Sequence, residues 1–224
     1  MSTPNTTGTW GALFDWDGVL VDSKALHETA WNKVAREFGY PHGPEDFKRH
    51  FGTQNRRAIK ETLGWTKDDA QIERISKRKE VLYREQLAEH GDLWLPGAEA
   101  FVELCAARGI PRALVSSSAR ENIDVLLGGS RLKEQFQAIV TADDTRLGKP
   151  EPEGFLLAAS RLGLLPQRCV VFEDAPAGIQ AGLRGGMRVI GLTTTHSAAE
   201  LDQAHLVVAA LGPDLLREIE AWFP

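Results

Sequence analysis

Asp15 and Asp17 stand two residues apart in FDWDG, directly after the short apolar run GALF. Other polar groups follow similar runs: Ser116 after RALV, Lys149 in the loop beyond AIVTADD, and Glu173 with Asp174 at the end of CVVFED. In an open parallel sheet, ligands bind beyond the carboxyl ends of the strands, so four carboxylates, a lysine and a serine should converge at one edge. Four packed negative charges raise one another's pKa values and weaken the fold unless a cation sits among them. An all-oxygen set suits Mg²⁺. A metal, a lysine and a hydroxyl around an exposed carboxylate form a site for a phosphoryl dianion, because phosphoryl transfer is mostly positioning and neutralisation of oxygen charge. Asp15 can then attack phosphorus as the nucleophile, giving an aspartyl phosphate. Asp17 is placed to protonate the leaving oxygen and later to deprotonate water.

The elements that must position these groups are readable from pattern. Apolar runs begin at Gly11, Arg112, Ala138, Cys169 and Arg188, with a weaker sixth at residues 205–211, and helix-length amphipathic stretches separate them. Alternating strand and helix units predict an α/β fold with a parallel, doubly wound sheet. Gly109 and Gly163 mark helix stops, and early prolines and glutamates mark helix starts. Residues 23–93 lack a strand pattern and read as a helical insert. Its longest helix is expected to take Thr66 as N-cap, with Asp68 and Asp69 in the first turn. Ile72, Ile75, Lys79, Leu82 and Gln86 share one face of it, so Lys79 falls in an apolar stripe. His27 does the same on the first helix of the insert, beside Ala30, Trp31 and Val34. Asp143 and Asp144 read as a strand-end loop and helix cap, and Trp31 and Trp65 as packing within the insert. Trp16, next to Asp15, is placed to shield the site from water.

The 224 residues are 42% hydrophobic and 25% charged, with no apolar run long enough to span a bilayer. A net charge of −5 argues against general affinity for nucleic acid or anionic lipid. Cys105 and Cys169 show neither metal-ligand spacing nor a disulfide framework, which fits a reducing compartment. MSTPNTTGTWG has no signal-peptide pattern and reads as a loose tail, so the expected location is the cytoplasm. A monomer or small homo-oligomer is expected, without membrane or nucleic-acid partners.

FDWDGVLVDS, LVSSS, GKPEPEGFLLAA and VVFEDAPAGIQAGLRGG resemble, in order, the four motifs of the haloacid dehalogenase superfamily, and the likeness covers nearly the whole chain. The insert resembles the four-helix cap of the branch containing β-phosphoglucomutase and many small-molecule phosphatases. The resemblance implies a Rossmann-like core of residues 1–22 and 94–224, with an all-α cap of residues 23–93. It implies that Asp15 is nucleophile and Mg²⁺ ligand. Asp17 becomes the acid/base with its main-chain carbonyl on the metal, and Asp174 a ligand with Glu173 beside it. Ser116 and Lys149 should hold the phosphoryl group, helped by backbone N–H groups near Trp16 and Ser117. His27, Lys79 and Arg56 are the cap residues expected to meet substrate.

Dehalogenases and phosphonate hydrolases of the superfamily lack an aspartate two residues after the nucleophile, so Asp17 argues for phosphate esters. The expected activity is a Mg²⁺-dependent phosphatase for a small phosphorylated metabolite, a sugar or polyol phosphate. β-Phosphoglucomutase is the alternative. Against it, the position matching the arginine that grips the mutase's second phosphate is Asn55, and an amide cannot replace a bidentate guanidinium. A shift of one residue would bring in Arg56. A receiver-type signalling domain shares the sheet, Mg²⁺ and phosphorylatable aspartate, but has neither Asp17 nor a cap.

Overall fold

The computed structural model describes residues 10–90 and 92–223. The expected N-terminal tail therefore lies largely outside the described residues. Six strands, β1 (Gly11–Phe14), β2 (Arg112–Val115), β3 (Ala138–Val140), β4 (Cys169–Glu173), β5 (Arg188–Leu192) and β6 (Leu206–Val208), form one sheet in the order β3-β2-β1-β4-β5-β6. Every pairing is parallel. Parallel strands need long crossovers, and the chain order supplies a helix at most of them.

Alternation along β1 assigns its side chains to two cores. Ala12 and Phe14 pack with α5 (Ala98–Ala107), α6 (Arg120–Leu127) and the C-terminal α9 (Asp214–Glu220), whose Phe101, Ile123 and Ile219 are fully buried. Leu13 faces the other way, toward α7 (Glu153–Arg161) and α8 (Pro176–Arg184). Strand order reverses at β1, which has β2 on one side and β4 on the other; this switch point is where such sheets bind ligands.

Between β1 and α5 lie α1 (Lys24–Phe38), α2 (Pro44–His50), the short α3 (Asn55–Arg57) running into a π-helical turn at Ala58–Thr62, and α4 (Asp69–Leu87). They share a hydrophobic cluster of their own, with Trp31, Ile59, Ile75 and Tyr83 among its buried members. Trp31 meets Trp65 edge-on at 5.6 Å. The N-cap of α4 differs from expectation: Asp68 accepts from Gln71 N–H at 2.7 Å, whereas Thr66 Oγ1, two residues earlier, accepts from Asp68 N–H. A carboxylate at the N-cap also complements the helix dipole, which favours Asp68 over the hydroxyl. Val21 bridges to Trp94, so the chain enters and leaves the helical segment side by side.

Candidate active site

Asp15 continues β1 by one residue, its N–H donating to Phe172 O at 3.0 Å. Extending the registers Phe14↔Phe172 and Phe14↔Leu114 sets Asp15 level with Glu173 and Ser116 one residue beyond Val115. Backbone pairing thus delivers the acidic and hydroxyl groups to one edge, and all of them are buried. Lys149 arrives from the loop before α7. Its Nζ donates to Asp15 Oδ1 at 2.6 Å and also to Glu173 Oε1. The other Glu173 oxygen accepts the N–H groups of Asp174 and Ala175 at 2.9 and 3.0 Å. That carboxylate occupies the space above Gly178, where a Cβ would come within 1.8 Å of it, so α8 can start this close only with glycine there.

Oxygens of Asp15, Glu173 and Asp174 lie within 4.8 Å of one another. Burial raises Asp15, Lys149 opposes this, and the charges of Glu173 and Asp17 add to it, leaving Asp15 pushed up to about 8. Asp174 is likewise held well above the usual carboxylate range by burial and by Glu173 and Asp15. One lysine does not balance three enclosed carboxylates. Their number and oxygen chemistry fit a hard divalent cation, which lowers carboxyl pKa values by its own charge.

Asp17 turns away from that cluster. Its Oδ1 accepts from Ser23 Oγ at 2.5 Å and His27 Nε2 at 3.1 Å, and its Oδ2 accepts from Ser118 Oγ at 3.0 Å. Burial alone would raise it, but His27 beside it, with the two hydroxyls, outweighs burial and holds Asp17 at about 2. His27 stacks on Tyr83 at 3.9 Å, and its Nδ1 faces Lys79 Nζ at 2.9 Å. An ammonium only donates, so Nδ1 is an acceptor and Nε2–H points to Asp17. Lys79 also pairs with Glu80 at 3.0 Å, and Glu80 in turn accepts from Asn55 and Asn122. His27 and Lys79, two polar groups in apolar stripes, are therefore successive members of one buried chain that begins at Asp17.

A small compartment opens beside Asp17, lined in part by His27, Trp31, His50, Asn55 and Lys79. Arg56 is not among its walls: its guanidinium pairs with Asp69 at 2.7 Å on the exposed side and borders only a wider outer groove. The one-residue shift that would bring Arg56 inward does not occur, because Asn55 is fixed to Glu80 at 2.6 Å. Ser117 Oγ donates to Gly52 O at 2.9 Å, tying the site loop to the helical segment. Gln54 reaches Thr145 at 2.9 Å beside the Lys149 loop. Trp16 is turned into the core, edge-on to Trp94 at 5.4 Å, and so packs instead of lining the site. Asp143 and Asp144 serve local structure, accepting from the N–H groups of Arg120 and Thr141.

Ser23, Ser118, Glu80 and Asn122 were not singled out by sequence reasoning. Ser23 and Ser118 lie within the first and second motifs, in LVDS and VSSS, where a hydroxyl was a readable signal. Glu80 and Asn122 meet only because α4 packs on α6, and no spacing within either helix reports that.

A model of the family described as haloacid dehalogenase-like hydrolase matches residues 11–186. The chain belongs to that family. Among its relatives, hexitol phosphatase A of Escherichia coli is 38% identical over 208 residues, covering 90% of this chain and 91% of that protein. The chloroplastic 5-amino-6-(5-phospho-D-ribitylamino)uracil phosphatase of Arabidopsis thaliana is 36% identical over 208 residues, covering 91% of this chain. The chain spans only 55% of that plant protein's length. β-Phosphoglucomutase from Clostridium difficile superposes with a TM-score of 0.84 at 26% identity, over 95% of this hydrolase and 97% of the mutase. Among the described residues of the hydrolase, no helix is long and apolar enough to cross a membrane.

Proposed function

We propose that this hydrolase is a Mg²⁺-dependent phosphatase for a small sugar or polyol phosphate, working through an aspartyl phosphate on Asp15, with residues 23–93 as a cap over the site. The observation that carries this reading is the opposed setting of two aspartates two residues apart. One stands among carboxylates with a lysine; the other is enclosed by hydroxyls and an imidazole. Asp15 and Asp174 would hold the cation with their carboxylates, Glu173 would stand beside them, and Asp17 would contribute its main-chain carbonyl. Bound there, Mg²⁺ supplies charge neutralisation at the phosphoryl oxygens. Lys149 and Ser116, with the N–H groups near Trp16 and Ser117, orient the phosphoryl group for attack by Asp15.

Asp17 rests as a carboxylate, so it takes up the proton the substrate brings, since a phosphate monoester with a second pKa of about 6 still carries some at neutral pH, and passes it to the leaving alkoxide oxygen. After the alcohol leaves, Asp17 takes a proton from water, which attacks phosphorus and releases Asp15. His27 and Lys79 keep the Asp17 oxygens aimed. Contacts from Gly52 and Gln54 to the core support a cap that excludes bulk water.

Asn55 in the compartment, with Arg56 outside it, favours hydrolysis over the mutase alternative, which needs a firm grip on a second phosphate. The test is phosphate release from sugar, polyol, glycolate and nucleotide phosphates, with Mg²⁺ and after chelation. Release from a sugar or polyol phosphate that stops on chelation is the expected result. Conversion of β-glucose 1-phosphate to glucose 6-phosphate faster than to free phosphate would replace the hydrolase reading with the mutase.

A further inference from the structure

The loop between β5 and β6 carries none of the motif residues, yet it touches the carboxylate cluster. Thr195 Oγ1 donates to Asp174 Oδ2. A hydroxyl has one proton, so its oxygen is left to accept, and His196 Nδ1 lies 2.9 Å from it and 2.9 Å from Asp174 O. Thr194 Oγ1 donates to Gly18 O, anchoring the preceding residue. Gly18 has a φ of +81°, and a Cβ on it would lie 2.1 Å from Asp174 Oδ2 and 3.0 Å from Thr195 Cγ2. The Asp174 carboxylate is therefore seated between the Gly18 backbone and the Thr195 side chain.

The helical segment holds this loop from above. Lys24 Nζ donates to Thr195 O at 3.2 Å, and Lys48 pairs with Glu200 at 2.8 Å. Glu200 also accepts from the N–H and hydroxyl of Ser197, closing the loop on itself.

Asp174 differs from its neighbours in what steadies it. Asp15 and Glu173 share Lys149, whereas the side-chain hydrogen bond to Asp174 comes from Thr195. A carboxylate that must offer one oxygen to a cation has to be kept from rotating, and a partner on the other oxygen does that. We propose that Thr195 is a positioning residue for Asp174, setting its carboxylate for the divalent cation. The inference rests on the metal reading of the Asp15, Glu173 and Asp174 cluster.

The test is isothermal titration of Mg²⁺ into the full chain and into Thr195→Val, Thr195→Ala and Thr195→Ser proteins, each first shown by circular dichroism and metal-free melting to be folded. Thr195→Val keeps the shape and loses the hydroxyl, so the Mg²⁺ dissociation constant should rise by about 10- to 100-fold, as for other partners of metal ligands. Thr195→Ala should match it, which guards against a packing fault in one variant, and Thr195→Ser should return close to the parent value. Phosphatase turnover of Thr195→Val should recover at saturating Mg²⁺, which a merely structural defect would not allow. Parent-like Mg²⁺ affinity in Thr195→Val and Thr195→Ala, or equal loss in Thr195→Ser, overturns the role of Thr195. A parent protein that itself binds no Mg²⁺ would instead remove the metal reading.

Discussion

Asp15 and Asp17 are the same residue type, both buried, two positions apart, and their carboxyl groups are driven in opposite directions. Around Asp15 the neighbours are Glu173, Asp174 and one lysine, delivered by strand ends whose register is set by backbone hydrogen bonds. Around Asp17 they are Ser23 and His27 from the start of the helical segment and Ser118 from the core. The first setting pushes a carboxyl up to about 8, and the second holds one at about 2. Burial acts in the same sense on both, so the difference comes from the company each keeps: like charges on one side, hydrogen-bond donors on the other. A crowded carboxylate calls for a cation; one surrounded by hydrogen-bond donors stays ionised. In the proposed mechanism the core would supply the reacting group and its charge, and the helical segment would control the proton.

Substitutions in the two settings should separate these contributions. Asp15→Asn should lower turnover by about 10⁴-fold or more, the scale of losing a nucleophile. Asp17→Asn should cost about 10²- to 10⁴-fold, the range of one general acid/base, and near-parent turnover would break the contrast between the two. Smaller in free energy is an effect on stability. His50, buried and facing His42 and Lys79, has its pKa lowered to about 3 by burial and by those two charges. The unfolded chain therefore binds this proton more readily, and the contribution of His50 to stability falls as pH drops below about 6.5 toward 3. Urea titrations at pH 7 and pH 5 should show about 2 kcal/mol more loss in the parent than in His50→Gln.

Lys79→Met removes a charged partner of His27 without touching the core cluster, and should lower kcat by about tenfold, the worth of one charged hydrogen bond, with Mg²⁺ affinity unchanged. An equal fall in Mg²⁺ affinity would show that the two settings are not separable. Arg56→Ala should change kcat/KM by less than about twofold, since the side chain is exposed and its partner is Asp69.

Much of the core was legible because strand signals are local. Each apolar run ends where its polar group begins, so Asp15, Ser116, Glu173 and Asp174 could be placed at one edge before any contact was known. Lys149 needed the loop as well, and order along the chain sufficed. The helical segment was harder. Periodicity put His27 and Lys79 on inward faces, but which inward faces meet depends on how α1, α4 and α6 pack, so the link from Lys79 through Glu80 to Asn122 was invisible. The choice between Asn55 and Arg56 stayed open for a related reason: the backbone turn at α3 decides which of them faces inward, and the π-helical turn that follows it carries no clear sequence mark. Thr195 was missed because it lies in a loop whose only signal is a run of three threonines after β5.

The claim that Asp15 becomes phosphorylated is tested most directly by trapping. Acid quench during turnover of a ³²P-labelled sugar phosphate, followed by peptide mapping, should find the label on the peptide containing Asp15, and Asp15→Asn should carry none. Active protein that turns over the same ester with no trapped label at any quench time, and with inversion of configuration at phosphorus, would contradict the account, because water would then be attacking the ester in a single step.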